Sequence, residues 1–147
     1  MVQKKLNTKS VLGTLNKILE AELAGVVRYT HYQFMVFGYS RIPIIHWLES
    51  QATESLLHAR QAGEMITYVG GQPSLAIGRL LDQSHKSIGD IMRDALEHER
   101  RAMTLYRDLL GHVAGESIVL EEYARGMIAT EELHAGEIEK MLRHPGG

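Results

Sequence analysis

The sequence predicts an all-α protein: an antiparallel four-helix bundle with one long crossover connection. Three observations carry this. Four long segments repeat their apolar residues at helical period, the alternating pattern of strands is absent, and two of the three connections are short while the middle one is long.

The first segment, α1, spans about 8–37, with Leu12, Leu15, Leu19, Val26, Tyr29 and Val36 as its apolar stripe. Gly38 and Ser40 break it, and Pro43 is tolerated in the first turn of α2. That helix covers about 41–69 through Ile45, Leu48, Ala52, Ala59, Ala62, Ile66 and Val69. Gly70-Gly71-Gln72-Pro73 then stops it. The third helix, α3, covers about 84–111, with Ile88, Ile91/Met92, Ala95, Met103, Tyr106 and Leu110 on its stripe. Ser87-Ile88-Gly89-Asp90 resembles a capping box near its start. Gly111 to Gly115 is the next break, and Ser117 is a fair N-cap for α4 over about 117–143. Leu120, Ala124, Met127/Ile128, Ala135, Ile138 and Leu142 form the last stripe, and His144-Pro145-Gly146-Gly147 reads as a frayed tail.

The short α1–α2 and α3–α4 connections make two antiparallel hairpins. The connection from Gly70 to Gln83 is longer and partly apolar (Leu75, Ile77, Leu80, Leu81), long enough to run the length of the bundle. At 147 residues the chain suits a single domain, 1–147, with a sizeable core.

Composition narrows the function classes. A formal charge of −2 and pI near 6.4 give no reason to expect nucleic acid as partner. With no cysteine, disulfides and thiolate metal sites are excluded. Met1-Val2-Gln3-Lys4-Lys5 leads into a polar segment without a signal-peptide apolar region, and no run reaches membrane-span length. The expectation is a cytoplasmic protein with no membrane partner.

One spacing occurs twice. His58 follows Glu22 by 36 residues (58 − 22), and His134 follows Glu99 by 35 (134 − 99). The midpoints, 40 and 116.5, fall in the two hairpin turns, so each carboxylate is level with the histidine of its partner helix. Glu22 continues the series 15, 19, 22, 26, 29 and Glu99 the series 92, 95, 99, 103, 106, whereas Glu20 and Glu97 fall off them. Glu131, three before His134, shares its face. No Lys or Arg lies on these stripes to pair with them. Burying unpaired carboxylates would cost several kcal/mol each or force them to protonate. A cation bound by O and N ligands removes that cost, so the pattern predicts a metal site in the core. Taken singly, each residue would read as a solvated glutamate or an ordinary histidine; joint placement in depth and angle reverses this. Tyr29, seven after Glu22, either reaches a site carboxylate or is a plain core aromatic. His31, His46, His85, His98, His112 and His144 show no such pattern and are expected on the surface or in loops.

These residues resemble the bacterioferritin branch of the ferritin-like di-iron proteins over nearly the whole chain. The resemblance rests on Leu15-Asn16-Lys17-Ile18-Leu19 with Glu22 and Tyr29, and on His58-Ala59 with Gly70-Gly71-Gln72-Pro73. It continues in Glu99 with Ala102 and Tyr106-Arg107-Asp108, and in Glu131-Glu132-Leu133-His134. It implies a ferritin-like bundle in which Glu22, Glu99 and Glu131 are terminal or bridging carboxylates and His58 and His134 each bind one metal. It also implies Fe(II) oxidation by O₂ or H₂O₂, with storage of ferric iron in an assembled cage. Manganese and zinc tolerate the same ligands.

Three departures qualify that implication. The family's carboxylate three before the first histidine is Ser55 here, and Glu54, at i,i+4 from His58, is the expected substitute ligand. The family's haem-ligating methionine is Leu56, so no haem is expected at the usual place. The family's short fifth helix has no counterpart before Gly147, so a homodimer is expected on general grounds, with a larger homo-oligomer still open. Two alternatives to a storage ferroxidase stand: a small dimeric di-metal oxidase or peroxidase, and a degenerate bundle without catalysis.

Overall fold

Four helices make up the regular structure of the computed structural model, which describes residues 6–80 and 87–143. They are α1 (Thr8–Met35), α2 (Arg41–Val69), α3 (Ile88–Val113) and α4 (Ile118–Leu142). Helix α1 packs on α2 and on α3, and α3 packs on α4. The expected residues 84–86 of α3, the Met1–Lys5 segment and the tail His144–Gly147 lie outside the described residues.

Local chemistry sets the ends. Asn7, Ser87 and Ser117 each accept a hydrogen bond from the backbone N–H three residues on, satisfying a first-turn donor of α1, α3 and α4. Helix α1 stops at Met35, two residues earlier than the periodicity suggests, because Val36 is extended and Gly38 takes φ +101°. Arg41 closes that end: its Nη1 donates to the carbonyls of Gln33 (2.9 Å) and Val36 (2.5 Å). At the end of α2, Gly70 (φ +95°) and Gly71 donate to the carbonyls of Thr67 and Ile66, the paired bonds of a Schellman motif. Helix α3 runs through Gly111 to Val113, and the left-handed turn falls on Gly115 instead.

The crossover lies along α1 in the direction that helix runs. Asn16 holds its first part, accepting from Ser74 N–H (2.7 Å) and donating to Gln72 O (3.5 Å). Gly78 N–H then donates to Glu20 O (2.8 Å), and Arg28 Nη2 to Arg79 O (2.8 Å). From Asn16 to Arg28 the connection therefore climbs the bundle, delivering α3 to the opposite end from that at which α2 finishes.

The apolar core comes in two parts. One joins Val11, Leu15, Ile18, Ala62, Ile66, Tyr106, Leu109, Leu120 and Ala124; the other joins Tyr29, Tyr32, Leu48, Ala52, Ile91, Met92, Ala95 and Ile138. Along every helix a charged or polar residue separates the two: Glu22 on α1, Ser55 and His58 on α2, Glu99 on α3 and Glu131 on α4. The polar residues form a layer across the middle of the bundle, sealed above and below by apolar side chains.

Candidate metal centre

Glu22 lies level with His58 in the bundle, and Glu99 with His134, as their spacing predicts. His58 Nδ1 lies 3.6 Å from Glu22 Oε2 and 3.2 Å from Glu131 Oε1, linking α1, α2 and α4 at one level. Among the described residues, two sets of three donors have their atoms within 4.8 Å of one another: Glu22, His58 and Glu131, and Glu99, Glu131 and His134. Glu131 belongs to both. The rings of His58 and His134 are nearly parallel, 14° apart with centroids separated by 6.4 Å.

Glu54 also faces this group, from the other side of the imidazoles. Its Oε1 is 3.7 Å from His58 Nε2, and its Oε2 is 3.1 Å from His134 Nε2. Each histidine thus has Glu131 on its Nδ1 side, at 3.9 Å for His134, and Glu54 on its Nε2 side. Glu54 is half-buried, so it stands between the layer and solvent.

Two tyrosines hold carboxylates. Tyr29 OH donates to Glu99 Oε1, so this residue is both a core aromatic and a partner of the site. Tyr106 OH donates to Glu22 Oε1 at 3.0 Å. The sequence placed Tyr106 only on a core stripe; its position seven after Glu99, matching Tyr29 seven after Glu22, was the available signal. The pairs cross between helices, with the tyrosine of each of α1 and α3 bonded to the carboxylate of the other.

Burial dominates the electrostatics. Glu22, Glu99 and Glu131 are 2%, 5% and 1% exposed. Desolvation raises the pKa of Glu22 against the lowering bond and charge of His58. It raises that of Glu99 further, helped by the neighbouring Glu131 and only partly offset by the Tyr29 hydroxyl. Burial by itself would depress the His58 imidazole, but hydrogen bonds to Glu131 and Glu22, with their charges, raise its pKa to about 10. A positive charge is thus favoured among the carboxylates. Glu131 Oε2 is buried without a hydrogen-bond partner among the described residues. Such an orphaned acceptor, within a set of oxygen and imidazole donors, fits a divalent cation.

Ser55 does not point into empty space. A Cβ on Gly25 would lie 2.8 Å from Ser55 Oγ and 2.7 Å from His98 Nε2, so α1, α2 and α3 approach closely at this point. His98 is buried here, 7% exposed and edge-on to Tyr29, which corrects the expectation that it is a surface residue. The missing side chain of Gly25 and the short one of Ser55 leave room for its ring. Burial, then the charges of Arg28 and Arg101, depress its pKa to about 4 and keep it neutral. His31, His46 and His112 are exposed as expected; His85 and His144 lie outside the described residues. Arg28 is also buried, on the flank of α1 that faces the crossover rather than on the stripe. No helix among the described residues is long and apolar enough to cross a membrane.

The fold has known counterparts. The ferritin-like domain family matches residues 12–145. A ferritin-like, diiron-carboxylate protein of Bacillus anthracis superposes with a TM-score of 0.87 at 23% identity, covering 95% of this chain and 100% of that one. The dodecameric thioferritin of Bacteroides fragilis, a bacterioferritin-related protein, gives 0.86 at 23% identity, with 94% and 87% covered. A Rhodobacter capsulatus bacterioferritin, described with a metal-free dinuclear site and haem iron, gives 0.83 at 20%, with 96% and 86% covered. No curated protein sequence matches the chain. With an all-α bundle, one long crossover, and two carboxylate–histidine sets meeting in its polar layer, the chain belongs to the ferritin-like domain family.

Proposed function

We propose that this protein binds two ferrous ions per chain as substrate and oxidises them with O₂ or H₂O₂. The observation that supports this best is the sharing of Glu131 by both donor sets. In this reading Glu22 and His58 hold one ion, Glu99 and His134 the other, and Glu131 lies between them. Glu54 supplies the carboxylate that Ser55 cannot, contacting both histidines. Two adjacent ferrous ions supply two electrons to the oxidant.

The chain's own residues set the conditions. Buried carboxylates with few positive neighbours favour the more highly charged ferric product. Tyr29 and Tyr106 fix the orientation of Glu99 and Glu22 through their hydroxyls, as outer partners do at metal sites. The two apolar clusters keep bulk water from the layer above and below. The ligand set is hard to borderline, so Mn(II) and Zn(II) are competing occupants.

Storage of the ferric product requires a cage. The B. fragilis relative is a dodecamer, which supports a homo-oligomer here. Light scattering on the purified protein tests this: a shell of many subunits supports storage, and a stable dimer restricts the function to oxidation. The oxidation itself is tested by mixing anaerobic Fe(II)-loaded protein with O₂ or H₂O₂ and following ferric absorbance. Oxidation no faster than in free solution would overturn it.

A further inference from the structure

Away from the polar layer, a cavity of about 460 Å³ opens between α1, the crossover and α3. Its size is that of a small-molecule site. None of the six carboxylates and histidines assigned to the metal centre lines it. Four cations do: Lys17 and Arg28 from α1, Arg79 from the crossover and Arg101 from α3. The carboxylate lining it is Glu20, and Arg101 is also paired with Glu97 outside the cavity. Even so the charge around the opening is positive in a chain whose formal charge is −2.

Arg28 is the second observation. It is more than nine-tenths buried, and its Nη2 is taken by the carbonyl of Arg79. Its Nε is buried with no acceptor among the described residues. Nε itself is not open to the cavity, but a buried guanidinium that lines it gains from an oxyanion placed beside its charge. Burial lowers the pKa of Arg28, offset in part by the charge of Asp94, which does not line the cavity. The apolar part of the lining comes from the same helices: Ala21 and Ala24 of α1 and Ala102 and Leu105 of α3.

We propose that this cavity binds a small organic anion, its phosphate or carboxylate held by Arg28 and Arg101 and its apolar body lying on the alanine and leucine wall. Such a ligand uses both kinds of surface, and an inorganic anion would leave the wall unused. The site depends on no metal, so its failure leaves the iron reading intact.

Calorimetric titration of the metal-free protein tests it with four probes: phenyl phosphate, benzoate, inorganic phosphate and phenol. The expected result is saturable binding of phenyl phosphate or benzoate, at least about tenfold tighter than phosphate or phenol. Which of the two binds identifies the head group. Arg28→Gln and Arg101→Gln should each weaken that binding severalfold or more, while Arg125→Gln, a cation on α4 outside the cavity, should not. If Arg28→Gln does not fold, the exposed Arg101→Gln carries the comparison. No saturable binding at millimolar concentration, or equal binding by Arg101→Gln and the unaltered protein, would overturn the proposal.

Discussion

Glu131 presents one oxygen to each histidine of the polar layer: Oε1 lies 3.2 Å from His58 Nδ1 and Oε2 3.9 Å from His134 Nδ1. This carboxylate is the point at which two half-sites become one. It is also among the least exposed groups in the chain, so its role is readable from what happens when its charge is removed.

Glu131→Gln keeps the shape and deletes the charge. The metal-free protein should lose stability, since the change removes a carboxylate partner that raises the pKa of the buried His58 imidazole. The metal-bound protein should lose most of its added stability. For the unaltered chain that gain is about 3 kcal/mol at a metal concentration a hundredfold above Kd. Thermal unfolding with and without Co(II) checks both halves. A variant stabilised by metal as fully as the parent would remove Glu131 from the site.

Glu54 and Ser55 are distinguished by reciprocal changes. Glu54→Ala should weaken metal binding by about 10- to 100-fold, whether the carboxylate contacts metal or fixes the two imidazoles. Ser55→Glu places a carboxylate at i,i+3 from His58, yet should add little to metal affinity, because Glu54 already spans the histidines. It should also cost about 1–3 kcal/mol in metal-free stability, as Ser55 is packed against Gly25 and His98. Metal titration and urea unfolding of both variants read these effects. A large affinity gain in Ser55→Glu would show that Glu54 is not a substitute.

Gly25→Ala places a methyl 2.7 Å from His98 Nε2 and 2.8 Å from Ser55 Oγ. Destabilisation of about 1–3 kcal/mol is expected, the usual cost of overpacking. Combining it with His98→Ala should recover much of the loss, because the ring is the larger obstacle. The double-variant cycle is the measurement, and strictly additive losses would contradict the packing described.

Much of this was legible in the chain. Helical stripes gave four elements, and Gly70 and Ser117 marked an end and a start that the structure keeps. Glu22, His58, Glu99, Glu131 and His134 followed from register, because in an antiparallel hairpin depth is a matter of counting from the turn. What counting cannot supply is the volume left by other helices. His98 precedes Glu99 and looks like a surface residue on α3 alone; it is buried because Gly25 on α1 and Ser55 on α2 are small. Arg28 similarly depends on the crossover, whose carbonyl at Arg79 accepts its Nη2. The side of the imidazoles on which Glu54 lies is a matter of side-chain rotation, which spacing does not encode.

The crossover offers a test of the fold independent of metal. Asn16 makes both early contacts with it, to Gln72 O and Ser74 N–H. Asn16→Ala should cost roughly 1–2 kcal/mol and loosen the segment locally. Hydrogen exchange at the Gly78 amide, bonded to Glu20 O, should accelerate while amides in mid-α4 change little. Unchanged exchange at Gly78 would mean that the segment is held some other way.

One layer of buried side chains is expected to hold two metal ions in each chain. Anaerobic titration with Fe(II), monitored by Mössbauer spectroscopy with ⁵⁷Fe, measures this directly. Saturation is expected at about two ions per chain in the unaltered protein, falling to one or fewer in Glu131→Gln. Binding of fewer than one ion per chain, or the same stoichiometry in both proteins, would contradict it.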